Sequence, residues 1–432
     1  MSPTDDPQTE ARPEKNRDSS IMLDRFQFSS NLARRHRLGR IWLVLLRFST
    51  LVGILALTAL IASIINDSFG YAAIQYKVDP NSLTAQGTPL SELSCEELIP
   101  ILEENLSTNR FRQLISEKPL AQWSQEECYE TVLAEVAKPK ILETWSLVYS
   151  LRYKDLLKVY TEQKYPGSEL VFKTWLNRDF IDSPQSSDPL LAGIRTAILG
   201  SLFVIAIVIV VAFPIGIAAA IYLEEYATPN RINGIIQTNI NNLAGVPSII
   251  YGMLGLTFFV RILEPLTSGS VFGYSDPTTA NGRTILAAGL TLALLILPVI
   301  IINSQEAIRA VPGSLREASY GMGATRWQTV WHHVLPYALP GILTGTILSV
   351  SRAFGETAPL VVVGASTFVR FDPDSIFSKF TTIPIQIYQW TARPQDAYKN
   401  IAAAAIIVLL LLLLTLNATA IFLRNRFSRR LV

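Results

Sequence analysis

Apolar residues gather along the chain into six runs separated by polar segments. Four are unbroken and about 20 residues or longer, the length a helix needs to cross roughly 30 Å of hydrocarbon. They cover 41–65, 191–223, 284–302 and 401–423. Two more, 236–263 and 336–363, are interrupted, the first by Gly245, Pro247 and Gly252, the second by Arg352, Gly355, Glu356 and Pro359. Backbone freed at membrane depth must be satisfied by protein or by a water-filled cavity. These two segments are therefore expected to line the interior of a bundle, where function concentrates. The pattern predicts an all-α membrane protein of six transmembrane helices.

The polar segments differ from one another. Residues 1–40 are rich in Asp, Glu, Arg, Ser and Pro and poor in large apolar side chains, so they cannot bury enough surface to offset ordering entropy and read as a disordered extension. The stretch 66–190 is too long for a simple loop and carries excess acid. Within it Ser94 with Glu97, and Ser124 with Glu127, form S-x-x-E capping boxes ahead of apolar positions Leu98, Ile101, Leu102 and Val132, Leu133, Val136. Two amphipathic helices are expected there, in a small, mostly helical domain inserted between spans one and two. Cys95 and Cys128, the chain's two cysteines, would each lie near the start of one of these helices. They are either a disulfide or two free thiols packed as small hydrophobes, a choice that depends on a distance sequence does not supply.

Composition supports the membrane reading, with 49% apolar and 17% charged residues against roughly 25% charged in soluble proteins. The 37 basic and 35 acidic residues nearly cancel, which excludes the basic bias of a nucleic-acid binder. Their placement is uneven. Arg34, Arg35, Arg37 and Arg40 precede the first run, and Arg424, Arg426, Arg429 and Arg430 follow the last. By the positive-inside rule both termini are cytoplasmic, 305–335 is inside, and 66–190 and 364–400 face out.

Between the fourth and fifth runs, residues 306–336 read as helix, glycine turn and helix about Gly321 and Gly323. Surface-lying Trp327, Val330 and Trp331, with small Ala318 and Ser319, suit docking against a partner. Neighbouring His332 and His333 point about 100° apart on a helix and cannot chelate one metal together. No G-x-x-x-x-G-K-[ST] occurs, so the chain lacks the phosphate cradle of a P-loop ATPase; no G-x-S-x-G or H-E-x-x-H is present either. The chain is therefore expected to be non-catalytic and to need no cofactor or metal.

Glu317-Ala318-Ser319, then Gly323, then Leu335-Pro336 resemble the EAA loop of ABC importer permeases, with His333 departing from the usual aliphatic residue. The resemblance implies the type I importer permease (MetI-like) fold over about 170–423 and a loop that enters a groove of a cytoplasmic ATPase, with Glu317, Ala318 and Gly323 carrying the coupling. Three further segments, Ala220-IYLEEYA, Asn242-LAGVPSIIYGMLGL and Ser351-RAFGETAPL, are similar to phosphate importer permeases of the PstA type. The partners so implied are a dimer of ATP-binding subunits, a second permease of the PstC type, an external phosphate-binding protein and the bacterial inner membrane. Sulfate, molybdate or phosphonate remain alternative cargoes, and an ion channel the alternative class.

Arg352 and Glu356 are one helical turn apart within the fifth run. An arginine near a bilayer centre costs about 2.5 to 3.5 kcal/mol on insertion scales, whereas an i,i+4 pair returns only about 0.2 to 0.5 kcal/mol. Helix stabilisation does not account for them. They either fix packing against a partner permease or, as the resemblance implies, line the substrate pathway.

Overall fold

The computed structural model describes residues 32–78, 83, 90, 93–108, 111, 112, 114, 123, 125–186, 188–274, 281–365, 369 and 372–428. Residues up to Ala62 and those from Ser63 onward are two compact units. Helix α1, Leu32–Ser68, is long and apolar enough to cross a bilayer. It begins well before residue 41, so 32–40, expected to be disordered, is helical instead. A helix once formed adds one hydrogen bond per residue, and Leu, Ala and Arg extend it readily. The remainder of that extension, 1–31, lies outside the described residues.

Directly after α1 comes a sheet that the capping-box reading missed. Strands β1 (Phe69–Tyr76), β2 (Pro139–Thr144) and β3 (Glu169–Thr174) pair antiparallel in the order β2-β1-β3. Ala72 faces Thr144 on one side and Val171 on the other. Each strand is short and pairs with a distant segment, so no hairpin turn announces it.

Two of the expected helices are α2, Cys95–Asn105, and α3, Gln125–Val132, which continues as a wider turn through Ala137. At the start of α2 the backbone N–H and hydroxyl of Ser94 both donate to the Glu97 carboxylate at 2.9 Å. These bonds, the backbone one first, hold that carboxyl below its ordinary value. The second capping box rests on Ser124 and the Glu127 side chain, which lie outside the described residues. Leu98, Leu102, Val132 and Val136 are buried in one cluster. Beside them Cys95 and Cys128 form a disulfide, their Cα atoms 5.5 Å apart. Helices α4 (Leu147–Arg152), α5 (Lys154–Lys164) and α6 (Arg178–Asp182) complete the segment.

The remainder is helical: α7 (Arg195–Ile221, prolonged to Tyr226), α8 (Arg231–Ala244), α9 (Ser248–Gly255, prolonged to Ile262) and α10 (Ile285–Arg309). Then follow α11 (Gly313–Gly321), α12 (Arg326–Thr329), α13 (Leu335–Gly355), α14 (Ala358–Val363), α15 (Ile383–Thr391) and α16 (Asp396–Ser428). Among the described residues five helices are long and apolar enough to cross a bilayer, six if α8 and α9, bent by 107°, are one crossing. Helix α10 is central, with α7, α8, α9, α13 and α14 packed around it and Leu292, Ile296 and Ile300 almost wholly buried.

Both interrupted runs are broken where glycine, proline or charge enters. Between α8 and α9 the N–H groups of Gly245 and Val246 take up the carbonyls of Asn242 and Leu243, and the Tyr251 hydroxyl adds a 2.7 Å bond to Leu243 O. This is the internal satisfaction that broken backbone in lipid demands. Between α13 and α14 the chain turns at Glu356, whose N–H bonds to Ala353 O. The halves beyond the two breaks meet: a Cβ on Gly252 would lie 2.7 Å from the Pro359 Cα, so only glycine permits this approach.

Candidate functional site

The loop between α10 and α13 takes the expected helix, turn, helix form, but its second helix is short: α12 runs without interruption into α13, making Arg326–Gly355 one span. The turn is made by Gly323, at φ +84°, with its N–H on Tyr320 O. Thr325 then starts α12 by receiving the Gln328 N–H, while the Gln328 amide oxygen accepts from the Thr325 N–H and hydroxyl. Glu317 and Ala318 are exposed beside it.

Two of the expected docking residues turn inward. Val330 is 1% exposed, and Ser319 is buried with its hydroxyl 2.9 Å from that of Thr329, stapling α11 to α12. Their faces of the two helices pack on each other, which residue type alone does not reveal. What stays outside is Met322 and a stacked pair, Trp327 and Trp331, with ring centroids 5.4 Å apart. These three side chains form an exposed apolar patch on the loop.

Two ion pairs that sequence reading did not find hold this end of the bundle, the second of them through the loop. Arg309 grips Glu224 with both arms of its fork, at 2.7 and 2.9 Å. Arg316, on α11, reaches Glu225 at 2.8 Å and donates to the carbonyls of Ile308 and Val311 at 3.0 and 2.8 Å. One side chain thus joins α11, the end of α7 and two carbonyls at the C-terminal end of α10 and just past it. Deeper, the amides of Gln237 on α8 and Gln305 on α10 exchange hydrogen bonds at 3.1 and 2.8 Å. The signal for the ion pairs was two adjacent carboxylates ending an apolar run and two arginines seven positions apart, but nothing in one sequence says they meet.

Arg352 and Glu356 do come together, Nε to Oε1 at 3.3 Å. Their surroundings differ. The Arg352 side chain is 55% exposed and the Glu356 side chain 18%. The guanidinium therefore stands at the surface of the isolated chain, while the carboxylate sits in the turn that ends α13. Beside them Ser351 donates to Asn417 on α16 at 2.6 Å, anchoring the segment.

A bundle of apolar helices, one of its crossings bent by 107° between α8 and α9, with an exposed helix-turn-helix loop, has the architecture of a membrane permease. Residues 202–432 match the family described as binding-protein-dependent transport system inner membrane component, and the chain belongs to that family. It is 34% identical over 206 residues to the phosphate transport system permease protein PstA 1 of Mycobacterium tuberculosis, covering 48% of this chain and 62% of that one. It is also 36% identical over 195 residues to the phosphate transport system permease protein PstC of Pasteurella multocida, covering 43% and 60%. The aligned part thus spans less than two thirds of each of these two relatives. A solved permease of the MetNI methionine ABC transporter, inward facing, is 22% identical with a TM-score of 0.39 over 57% of this chain and all of that one, too slight a likeness to argue from.

Proposed function

We propose that this importer permease carries inorganic phosphate into the cytoplasm by alternating access. The observation that carries the reading is the pairing of Arg352 with Glu356 at the break between α13 and α14, within the segment similar to phosphate permeases. Arg352 presents a planar fork of donors suited to two oxygens of one anion. Its half-open position leaves donors free to engage cargo briefly, at the seam with a second permease of the PstC type. Glu356 accepts hydrogen bonds only. It repels a fully ionised anion but accepts a hydrogen bond from the proton that phosphate still bears at neutral pH and sulfate lacks. The pair both orients the guanidinium and favours phosphate.

On this reading Glu317, Ala318 and Gly323 belong to the surface that meets a separate dimer of ATP-binding subunits, with Trp327, Trp331 and Met322 as its apolar centre. An external phosphate-binding protein delivers cargo. Both termini and the coupling loop lie in the cytoplasm, and the 66–190 segment lies outside the inner membrane.

The test is uptake of labelled phosphate by the reconstituted transporter, with sulfate, molybdate and phosphonate as competitors. Arg352→Gln is expected to abolish uptake while the ATPase still co-purifies, and Glu356→Gln to lower uptake or admit sulfate. Parental phosphate uptake by a fully assembled Arg352→Gln variant would leave the pair a packing device. Stronger competition by another oxyanion than by phosphate would reassign the cargo.

A further inference from the structure

We propose that α4 and α5 lie flat in the lipid leaflet on their own side of the membrane, as an interfacial float for the inserted domain. The inference depends on α16 crossing the bilayer and not on the identity of the cargo.

Helix α5 is apolar on two faces. Leu157 and Thr161 are buried, on the side that packs toward β3. Leu156, Val159 and Tyr160, one turn apart on another face, are 60%, 53% and 37% exposed. Helix α4 adds Val148 and Leu151 at 64% and 72%. Two neighbouring helices that hold out aliphatic side chains to solvent at this density need a cover.

The height of these helices identifies the cover. Asn400 stands immediately before the apolar run 401–423 of α16, where hydrocarbon gives way to headgroups. Its Nδ2 donates to Asp67 O at 2.6 Å, and its Oδ1 accepts from the Thr144 hydroxyl at 2.8 Å. Thr144 ends β2, and α4 begins three residues later at Leu147. The Val148 N–H bonds to Asn66 Oδ1 at 2.8 Å, and Asn66 lies just past the end of the other apolar run, 41–65. Through Thr144 the start of α4 is pinned to the residue that opens the apolar run of α16, at the level of the interface.

Composition agrees with that position. Tyr149, Tyr153 and Tyr160 supply the amphipathic rings that settle among headgroups, and Arg152 supplies a charge that attracts anionic lipid. On α5, Lys154 and Lys158 line the groove toward β3 beside Asp155 and Glu162, so the polar side of the helix stands away from the row Leu156, Val159 and Tyr160. The apolar row and the tyrosines, held at the level where the α16 apolar run begins, fit a lipid leaflet.

The test uses the full chain with its partner subunits in nanodiscs of phosphatidylethanolamine and phosphatidylglycerol. Nitroxide labels go on Leu156→Cys and Val159→Cys, with Glu162→Cys as the water-facing reference; the native cysteines are joined and do not take label. Labels at 156 and 159 are expected to collide more with oxygen than with a water-soluble nickel chelate, and the label at 162 the reverse. Nickel access at 156 and 159 equal to that at 162 would put the face in water. Exclusion of both reagents would mean a protein covers it; either result overturns the proposal. In the unaltered protein, a phospholipid with a photoreactive group near its headgroup should leave adducts on 147–164; adducts on α16 without any on 147–164 would overturn it equally.

Discussion

At the scale of single residues, Gly323 shows how narrow a requirement can be. A Cβ there would touch nothing within 4 Å, so space is not the reason for glycine. The reason is φ +84°, a left-handed backbone that costs other residues about 1 to 2 kcal/mol and is worst for a β-branched side chain. Asn tolerates that conformation and Val does not. Gly323→Asn is therefore expected to keep most of the phosphate moved per ATP hydrolysed, and Gly323→Val to lose it roughly tenfold, on the scale of one turn's strain. Equal coupling by Gly323→Val at equal expression would remove this turn from the mechanism. Sequence picked out Gly323 through its motif; it set Arg352 deep within a run reaching 363, whereas α13 ends at Gly355 and leaves Arg352 in its last turn. It put Val330 and Ser319 on the wrong side, because residue type does not say which face of a helix meets its neighbour.

Between elements, the decisive contacts join segments far apart in the chain. Glu225 and Arg316 are 91 residues apart, and their side chains are 7% and 21% exposed. Arg316→Ala would strand a nearly buried carboxylate and remove the donors to two carbonyls, a loss of about 3 to 5 kcal/mol that lowers the unfolding temperature. The exchange Glu225→Arg with Arg316→Glu restores the attraction but not the bonds to Ile308 and Val311. If the pair transmits motion and is more than a brace, the double exchange recovers stability in part while transport stays uncoupled from ATP hydrolysis. Full recovery of coupling would make attraction alone sufficient. Such pairs are invisible to periodicity, which reports a helix's own faces and nothing of what stands opposite. The same blindness hid the sheet: β1 is apolar enough to be seen, yet its partners are 139–144 and 169–174.

At the scale of the whole molecule the four unbroken runs were legible, because lipid imposes one length on every crossing. The breaks were legible too, since proline and glycine leave backbone groups that helices cannot satisfy. The arginine clusters predict a sidedness that is open to a direct check. A cysteine at Glu162 is expected to react with an impermeant maleimide in intact cells, and one at Thr325 only after permeabilisation. The opposite order would invert the membrane orientation, placing the disulfide in the reducing compartment. The sheet order β2-β1-β3 also bears on how the protein is made. Its central strand is synthesised first, directly behind α1, and waits with both edges bare until 139–144 and then 169–174 arrive. The sheet closes before Arg195 opens the next crossing. For the interval between, the nascent chain holds out an apolar strand that any other strand could claim, so the hazard of misassembly falls during biosynthesis, and slowed translocation of 77–174 is when it should be caught.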